Sequence, residues 1–569
     1  MKRLIFASLI ILATVSAQSA RRSLAEMKAA AEGVIKPAAL ATRNGVAQMK
    51  TLKHGAQFTI LGYDNGGFAV IANDDKFRAV LGYSSDGKFS EGNIAPAMLW
   101  WLDAVDEALQ HMLESGETAV SGAELRDTSL PEAVPAMLTT VWDQGEPYNR
   151  VVAEKFDGKD VPTGCVATAM SQLMRYHSWP VTGTGHTSYR YQGSLGNKTF
   201  QVDFSRTAYD YDNMLDSYVA GSYTDLQADA VATLMYHCGV AVEMDYDLDG
   251  SGTLNTKATQ AFDKYFSYSA KYRMRDIYAE SEWMNTVYGE IAAGRPVLYG
   301  GNDARVGGHA FVIDGYDADG LVHVNWGWSG AGTAYCDIAV LNSGQGSFSE
   351  GQDMITAFPG DDGKERTSQF GMLKSVTWGN GSTSTGRFTV SVRGGQLTYS
   401  VGDILNCDAY DFTGSIALIA QDEASGRTFT LDWLMKNVSL AANAGYPEVG
   451  SGTASTAVLS DGTYRVYLAS KSFVETAWQP VRGGDDVTDS YIMTVNGGTA
   501  TVTAGEPGWT TGIQGIEAAG ADGDGIVRVY TADGVLVYTS PAGSFSLSDV
   551  PTHGLLIVKN GAKTAKVMK

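Results

Sequence analysis

Apolar and polar positions change their spacing several times along this chain. Near the start, Phe58-Thr-Ile-Leu61, Gly67-Phe-Ala-Val-Ile-Ala72 and Val80-Leu-Gly-Tyr83 predict short strands, with Asn73-Asp74-Asp75 as a turn. Pro96 to Leu113 carries apolar residues at helical spacing, and Pro96 suits a first turn. From Glu114 to Ala133 the periodicity disappears, which predicts an exposed connector. Helices are then expected over Thr163–His177 and Thr224–Cys238, and strands over Val297–Tyr299, His309–Gly315 and Leu321–Trp326. Helices first and strands afterwards point to an α+β core. Residues 368–505 alternate between polar and apolar, as in Phe388-Thr-Val-Ser-Val392, Ser415-Ile-Ala-Leu-Ile419 and Tyr464-Arg-Val-Tyr-Leu468. A β-sandwich is the natural expectation there. A smaller strand set closes the chain: Ile526–Tyr530, Val535–Tyr538 and Gly554–Val558, with a tight turn at Asp533-Gly534.

The N-terminus adds an address. Met1-Lys2-Arg3 precedes an apolar run that ends in Val15-Ser16-Ala17, the form of a secretory signal peptide over residues 1–17. The run is shorter than the roughly 20 residues that span a bilayer. The division expected is then a signal peptide, a first module at 18–130, an α+β unit at 131–362, a sandwich at 368–505 and a terminal module at 510–569. A length of 569 residues accommodates that many domains. The formal net charge of −21 argues against a nucleic-acid partner, since phosphate binding needs a basic surface. The same acidity favours solubility outside a cell, so the expected location is secreted or on the outer surface. Four cysteines, Cys165, Cys238, Cys336 and Cys407, are too few for a disulfide framework. The last three are expected as small buried hydrophobes.

Candidate chemistry starts at Cys165, which follows Gly164 at the head of a helix with Thr163 as the expected N-cap. Free amides and the helix dipole there favour a thiolate and donate to an oxyanion. Taken alone, a cysteine at a helix start is as often structural. His309 opens a strand behind Gly307-Gly308 and is the candidate base. His177 ends the Cys165 helix about 18 Å along it, out of reach. His237 is expected to pack, and His323 has no assignable face. Asn325 or Trp326 would orient His309, and Gln144 offers an amide to an oxyanion. The glycine-bearing stretches 247–254 and 300–308 are expected to border the cleft. Leu248-Asp-Gly-Ser-Gly-Thr253 lacks the closing Glu of a calcium loop and reads as a turn. No metal and no cofactor are implied, since no cluster has ligand spacing.

Five blocks in order carry a resemblance: Trp142–Asn149, Gly164–His177, Leu234–Tyr246, Gly307–Tyr316 and Val324–Gly330. Together they resemble the streptopain family of cysteine peptidases. The resemblance implies a papain-like catalytic domain, an inactive precursor, and a Cys/His pair carried by Cys165 and His309. It maps the oxyanion amide to Gln144 and the residues after the histidine to Asn325 and Trp326, with either one orienting the imidazole. Ser329 and His237 depart from the usual pattern, and neither belongs to the pair. Gly67–Tyr83 and Ile94–Leu102 resemble the streptopain-type prosegment, which implies an intramolecular inhibitor. The final hairpin, Gly554–Val558 and the closing Lys566-Val-Met-Lys569 are similar to C-terminal sorting domains of type IX secretion cargo, which implies secretion machinery as a partner. The expectation is a secreted cysteine endopeptidase acting on proteins or peptides through an acyl-enzyme. An adhesin with an inactive peptidase-like module and a papain-fold acyltransferase are the alternatives.

Overall fold

The computed structural model describes residues 20–36 and 48–505, with short breaks at 65, 91, 93, 118–119, 304–306, 343–350, 380 and 394–395, and four strands of the terminal module. The signal peptide and the Asp533-Gly534 turn lie outside the described residues. The first module contains helix α1 (Leu24–Val34), strands β1 (Lys50–His54), β2 (Phe58–Gly62), β3 (Phe68–Ala72) and β4 (Val80–Ser84), and helix α2 (Pro96–Ser115). Pro96 opens α2 as expected, and Gly116 closes it in the left-handed conformation. The buried stripe of α2 includes Trp100, Trp101, Val105, Leu109 and Met112. Burying each such side chain contributes roughly 1.5–3 kcal/mol.

The connector is less open than its composition predicts. A one-turn helix, α3 (Gly122–Leu125), forms inside it behind a Ser121/Glu124 capping box. Asn285 then holds it by accepting from the Asp127 amide at 2.7 Å and donating to the Leu125 carbonyl at 2.7 Å. Gly116–Glu117 and Pro131–Ala133 do remain exposed.

The catalytic-type unit follows as α4 (Arg150–Lys155), α5 (Cys165–His177), a hairpin of β5 (His186–Gly193) and β6 (Gly196–Asp203), α6 (Asp225–Ala241), α7 (Asn255–Tyr265), β7 (Tyr268–Met274), α8 (Glu280–Ala292), β8 (Val297–Asp303), β9 (Gly307–Tyr316), β10 (Val322–Asn325), β11 (Ala334–Cys336) and β12 (Asp353–Pro359). The β5–β6 hairpin was not expected from the pattern. Residues 300–303 were expected in a border loop but extend β8, paired with β9 from Val297↔Ile313 to Asp303↔Gly307.

One ten-stranded sheet runs β1-β2-β3-β4-β11-β10-β9-β8-β12-β7. The first module supplies four of these strands, and β4 joins β11 at Tyr335↔Tyr83 and Cys336↔Gly82. A single apolar core spans the junction. It packs Met98, Trp100 and Trp101 of α2 with Phe311, Ile338, Val340 and Leu341. A second core gathers α4–α7 and the hairpin, including Val166, Met170, Leu173, Met235 and Phe262.

Residues 370–504 form a nine-stranded and a three-stranded sheet around a third core, with Phe388, Leu397 and Val401 packed with Ile416, Leu418, Val466 and Leu468, and a further two-stranded sheet of Val376–Thr377 and Thr383–Ser384. This matches the expected sandwich. Arg482 ties it to the catalytic-type unit, reaching Glu282 at 2.9 Å and lying over the Tyr278 ring. In the terminal module Leu536–Pro541, Ile526–Thr531, Leu555–Asn560 and Lys563–Met568 pair in that order. The fold class is α+β for the first two units and all-β for the rest.

Candidate active site

Cys165 is the first residue of α5, a helix buried along Val166–Met174 and packed on α6 and β9. Its N-cap is Gly164, not the expected Thr163, and no side chain caps the helix. The reason is space. Gly164 has φ +90°, and a Cβ there would lie 2.7 Å from Met244 Sδ and 2.9 Å from the Ser251 carbonyl. Thr163 is buried and pairs with the Thr168 hydroxyl at 3.2 Å. The first-turn amides are therefore left uncapped beside the thiol.

The Ala310 amide of β9 donates to Cys165 Sγ at 3.4 Å. Ala310 follows His309, so the strand that carries the histidine also contacts the cysteine. Burial pushes the Cys165 thiol up, while amides of Ala310, Val166 and Cys165 pull it down. His309 pairs across β8 with Gly301.

Cys165 and His309 line a cavity of about 510 Å³ with Gln144, Trp326, Trp328 and the 248–252 turn. That turn borders the cleft as expected. Gln144 is placed by its backbone. Its carbonyl accepts from Thr163 N at 3.0 Å, and its amide donates to Asp143 at 2.6 Å. Asp143 also takes the Ser329 hydroxyl, which links both walls. Trp328, Asp143 and Ser329 had no role in the sequence reading. The Trp–Gly–Trp repeat was the available signal for Trp328.

The two residues after the strand separate. Trp326 lines the cavity, packs on Phe311 at 4.8 Å and donates its indole N–H to the Gly332 carbonyl at 2.7 Å. Asn325 is buried away from the cavity wall. It donates to the Thr140 carbonyl at 2.7 Å and accepts from the Gly327 amide at 3.1 Å and Gln172 at 3.4 Å.

The rival histidines are committed elsewhere. His323 Nδ1 meets the fully buried Asp314 carboxylate at 2.5 Å. His237 pairs with the Tyr209 hydroxyl at 3.0 Å, and burial lowers its pKa to about 4. His177, at the far end of α5, is lowered to about 4 by burial and by Arg295. Cys238, Cys336 and Cys407 are buried free thiols, as expected.

The first module reaches this cavity. Ala95, Pro96 and Ala97, at the start of α2, form part of its lining. Trp100 packs on Phe311 at 6.4 Å, and a Cβ at Gly301 would lie 2.4 Å from its ring.

Residues 142–336 match the profile of the Peptidase C10 family, and residues 14–109 match that of the Spi protease inhibitor. Over 308 residues the chain is 30% identical to streptopain of Streptococcus pyogenes, covering 51% of this chain and 75% of streptopain. It is 30% identical over 311 residues to the thiol protease/hemagglutinin PrtT of Porphyromonas gingivalis, covering 51% of this chain and 36% of that protein's length. The solved structure of the Prevotella intermedia prointerpain A fragment shares 39% identity over 55% of this chain and 98% of its own, with a TM-score of 0.48. The chain belongs to the Peptidase C10 family, the streptopain family of cysteine peptidases, and carries an inhibitor-type prosegment.

Proposed function

We propose that the protein is a secreted cysteine endopeptidase made as a zymogen, with Cys165 as nucleophile and His309 as general base and acid. The supporting observation is that Cys165, at an uncapped helix start, lines one cavity with His309 and Gln144. In this reading Cys165 Sγ adds to the scissile carbonyl carbon and His309 holds the thiol proton. The Cys165 amide and the Gln144 side chain donate to the oxyanion. Collapse breaks the C–N bond, the amine leaves with the proton from His309, and a thioester remains on Cys165. Water, deprotonated by His309, then releases the acid and restores the thiol. Trp326 flanks the imidazole, and Asn325 holds the backbone that carries Trp326.

Residues 18–130 act as the intramolecular inhibitor. Their Ala95–Ala97 segment lines one side of the cavity beside the half-buried thiol, and burial favours the thiol's neutral form. The signal peptide sends the precursor out of the cytoplasm, to act on protein or peptide substrates outside the cell.

Casein hydrolysis by the processed enzyme tests the assignment. Cys165→Ala and His309→Ala are each expected to lower kcat/KM by several orders of magnitude, because such groups act as a unit. His177→Ala is expected to stay near wild type. Circular dichroism should show all three folded. Activity within tenfold of wild type in Cys165→Ala would overturn the mechanism.

A further inference from the structure

A second cavity, about 200 Å³, adjoins the first and shares Cys165 and His309 with it. Thr253, Leu254 and Asn255 at the start of α7 form one wall, and Gly301 of β8 forms another. Asp353, the first residue of β12, sits in it. Asn255 Nδ2 donates to Asp353 Oδ1 at 2.6 Å, and the Tyr272 hydroxyl bonds the same carboxyl group. Asn255 Oδ1 is buried and has no hydrogen-bond partner among the described residues. A Cβ at Gly300 would lie 2.3 Å from both Asn255 Nδ2 and Asp353 Oδ1, so the strand there must be bare backbone for the pair to form.

We propose that this cavity is a substrate side-chain subsite and that Asp353, with Asn255, selects a lysine or arginine side chain for it. The inference rests on the peptidase reading above and names the substrate class of that site. The Asp353 carboxyl lines a cavity that holds the nucleophile, with Asn255 holding it in place, and among the described residues no lysine or arginine lines that cavity. An apolar side chain entering would strip water from the carboxyl and return nothing, a cost of about 1–3 kcal/mol. An arginine or lysine brings several N–H donors and a charge opposite to the carboxylate. Burial pushes Asp353 up to about 6, and the bonds from Asn255 and Tyr272 act against it.

The test uses the enzyme after prosegment removal and a peptide set varied at one position at a time. The expected result is one position at which Arg or Lys is preferred over Leu by about tenfold or more in kcat/KM. In Asp353→Asn that preference should collapse at least tenfold. A measurement on the wild type alone covers the case of a variant that does not fold. An N-acyl-arginine amide should inhibit at a concentration at least tenfold below that of the matching N-acyl-leucine amide. Cleavage with no basic preference at any position, or equal inhibition by the two amides, overturns the subsite and leaves the peptidase reading standing. Absence of cleavage of every peptide by the wild type removes both.

Discussion

At the scale of single residues, the chemistry of the cleft depends on what each side chain is left free to do. Gly164 shows this most directly. Its left-handed backbone and the crowding by Met244 and Ser251 exclude any side chain, so α5 starts without a cap and its amides point at Cys165. Asn325 shows the converse, with its amide spent on Thr140, Gly327 and Gln172. The buried carboxylates also differ in what they do. Asp314 accepts the Met137 and Leu138 amides and meets His323. Asp489, in the sandwich, is fully buried, and its Oδ1 has no partner among the described residues. Burial raises Asp489 to about 6. A carboxyl raised in the folded state stabilises fully below its unfolded pKa of about 3.9, and that stabilisation is lost as pH rises through about 6. Asp489→Asn keeps a neutral side chain at every pH. Urea unfolding should therefore show little change near pH 3 and a gain of about 1–3 kcal/mol at pH 8. Equal destabilisation at both pH values would show that the carboxylate is favourably bound after all.

Helix α2 and strand β4 join the inhibitor-type prosegment to the peptidase unit. Both were legible as elements from spacing and from Pro96. Their partners were not, because Trp100 and Trp101 meet Phe311 and the 337–341 segment across more than 200 residues of chain, as Trp101 does in donating to the Asp337 carbonyl (|i−j| = 236). The consequence is that a cut in the connector does not by itself free the cleft. The two pieces still share a sheet through β4 and β11 and a core through α2. Cleavage is expected between 114 and 136, where Gly116–Glu117 and Pro131–Ala133 are exposed. N-terminal sequencing of the maturing enzyme locates it. At pH 7, iodoacetamide should modify Cys165 at least about tenfold more slowly in the intact precursor than after the prosegment is gone, because the prosegment narrows access to the cavity and a more buried thiol ionises less. Equal rates before and after removal would mean that α2 does not close the site.

For the whole molecule, specific side-chain contacts join one unit to the next. The sandwich is tied to the catalytic unit by Arg482–Glu282 and by Gln260 donating to the Ala409 carbonyl at 2.5 Å. Among the described residues, none of the terminal four-stranded sheet lines the cleft. We expect residues 510–569 to direct export across an outer membrane. Their closing lysines, Lys559, Lys563, Lys566 and Lys569, contrast with the net charge of −21 and suit a separate receptor. Deleting 510–569 should leave peptidase activity in lysates and strand the enzyme in the periplasm of a host with that secretion system. Normal arrival of the shortened enzyme in the medium would instead make the module a structural cap.

What the sequence by itself determined is what is local. The helix behind Cys165, the strand behind His309, the turn at 248–253 and the alternation of the sandwich all follow from spacing and turn residues within short windows. The family blocks added Gln144 and Trp326, both of which line the cavity. Tertiary structure decided what depends on residues far apart in the chain. It joined the prosegment and the peptidase in one sheet through β4 and β11, since strand pairing depends on which edges meet in space. It moved the helix cap from Thr163 to Gly164, because Ser251 and Met244 fold against that turn. It also brought Asn255 and Asp353 together over 98 residues of separation beside Cys165. No motif announces that pair, since a lone Asn and a lone Asp become a recognition site only once folding buries their acceptors in one cavity.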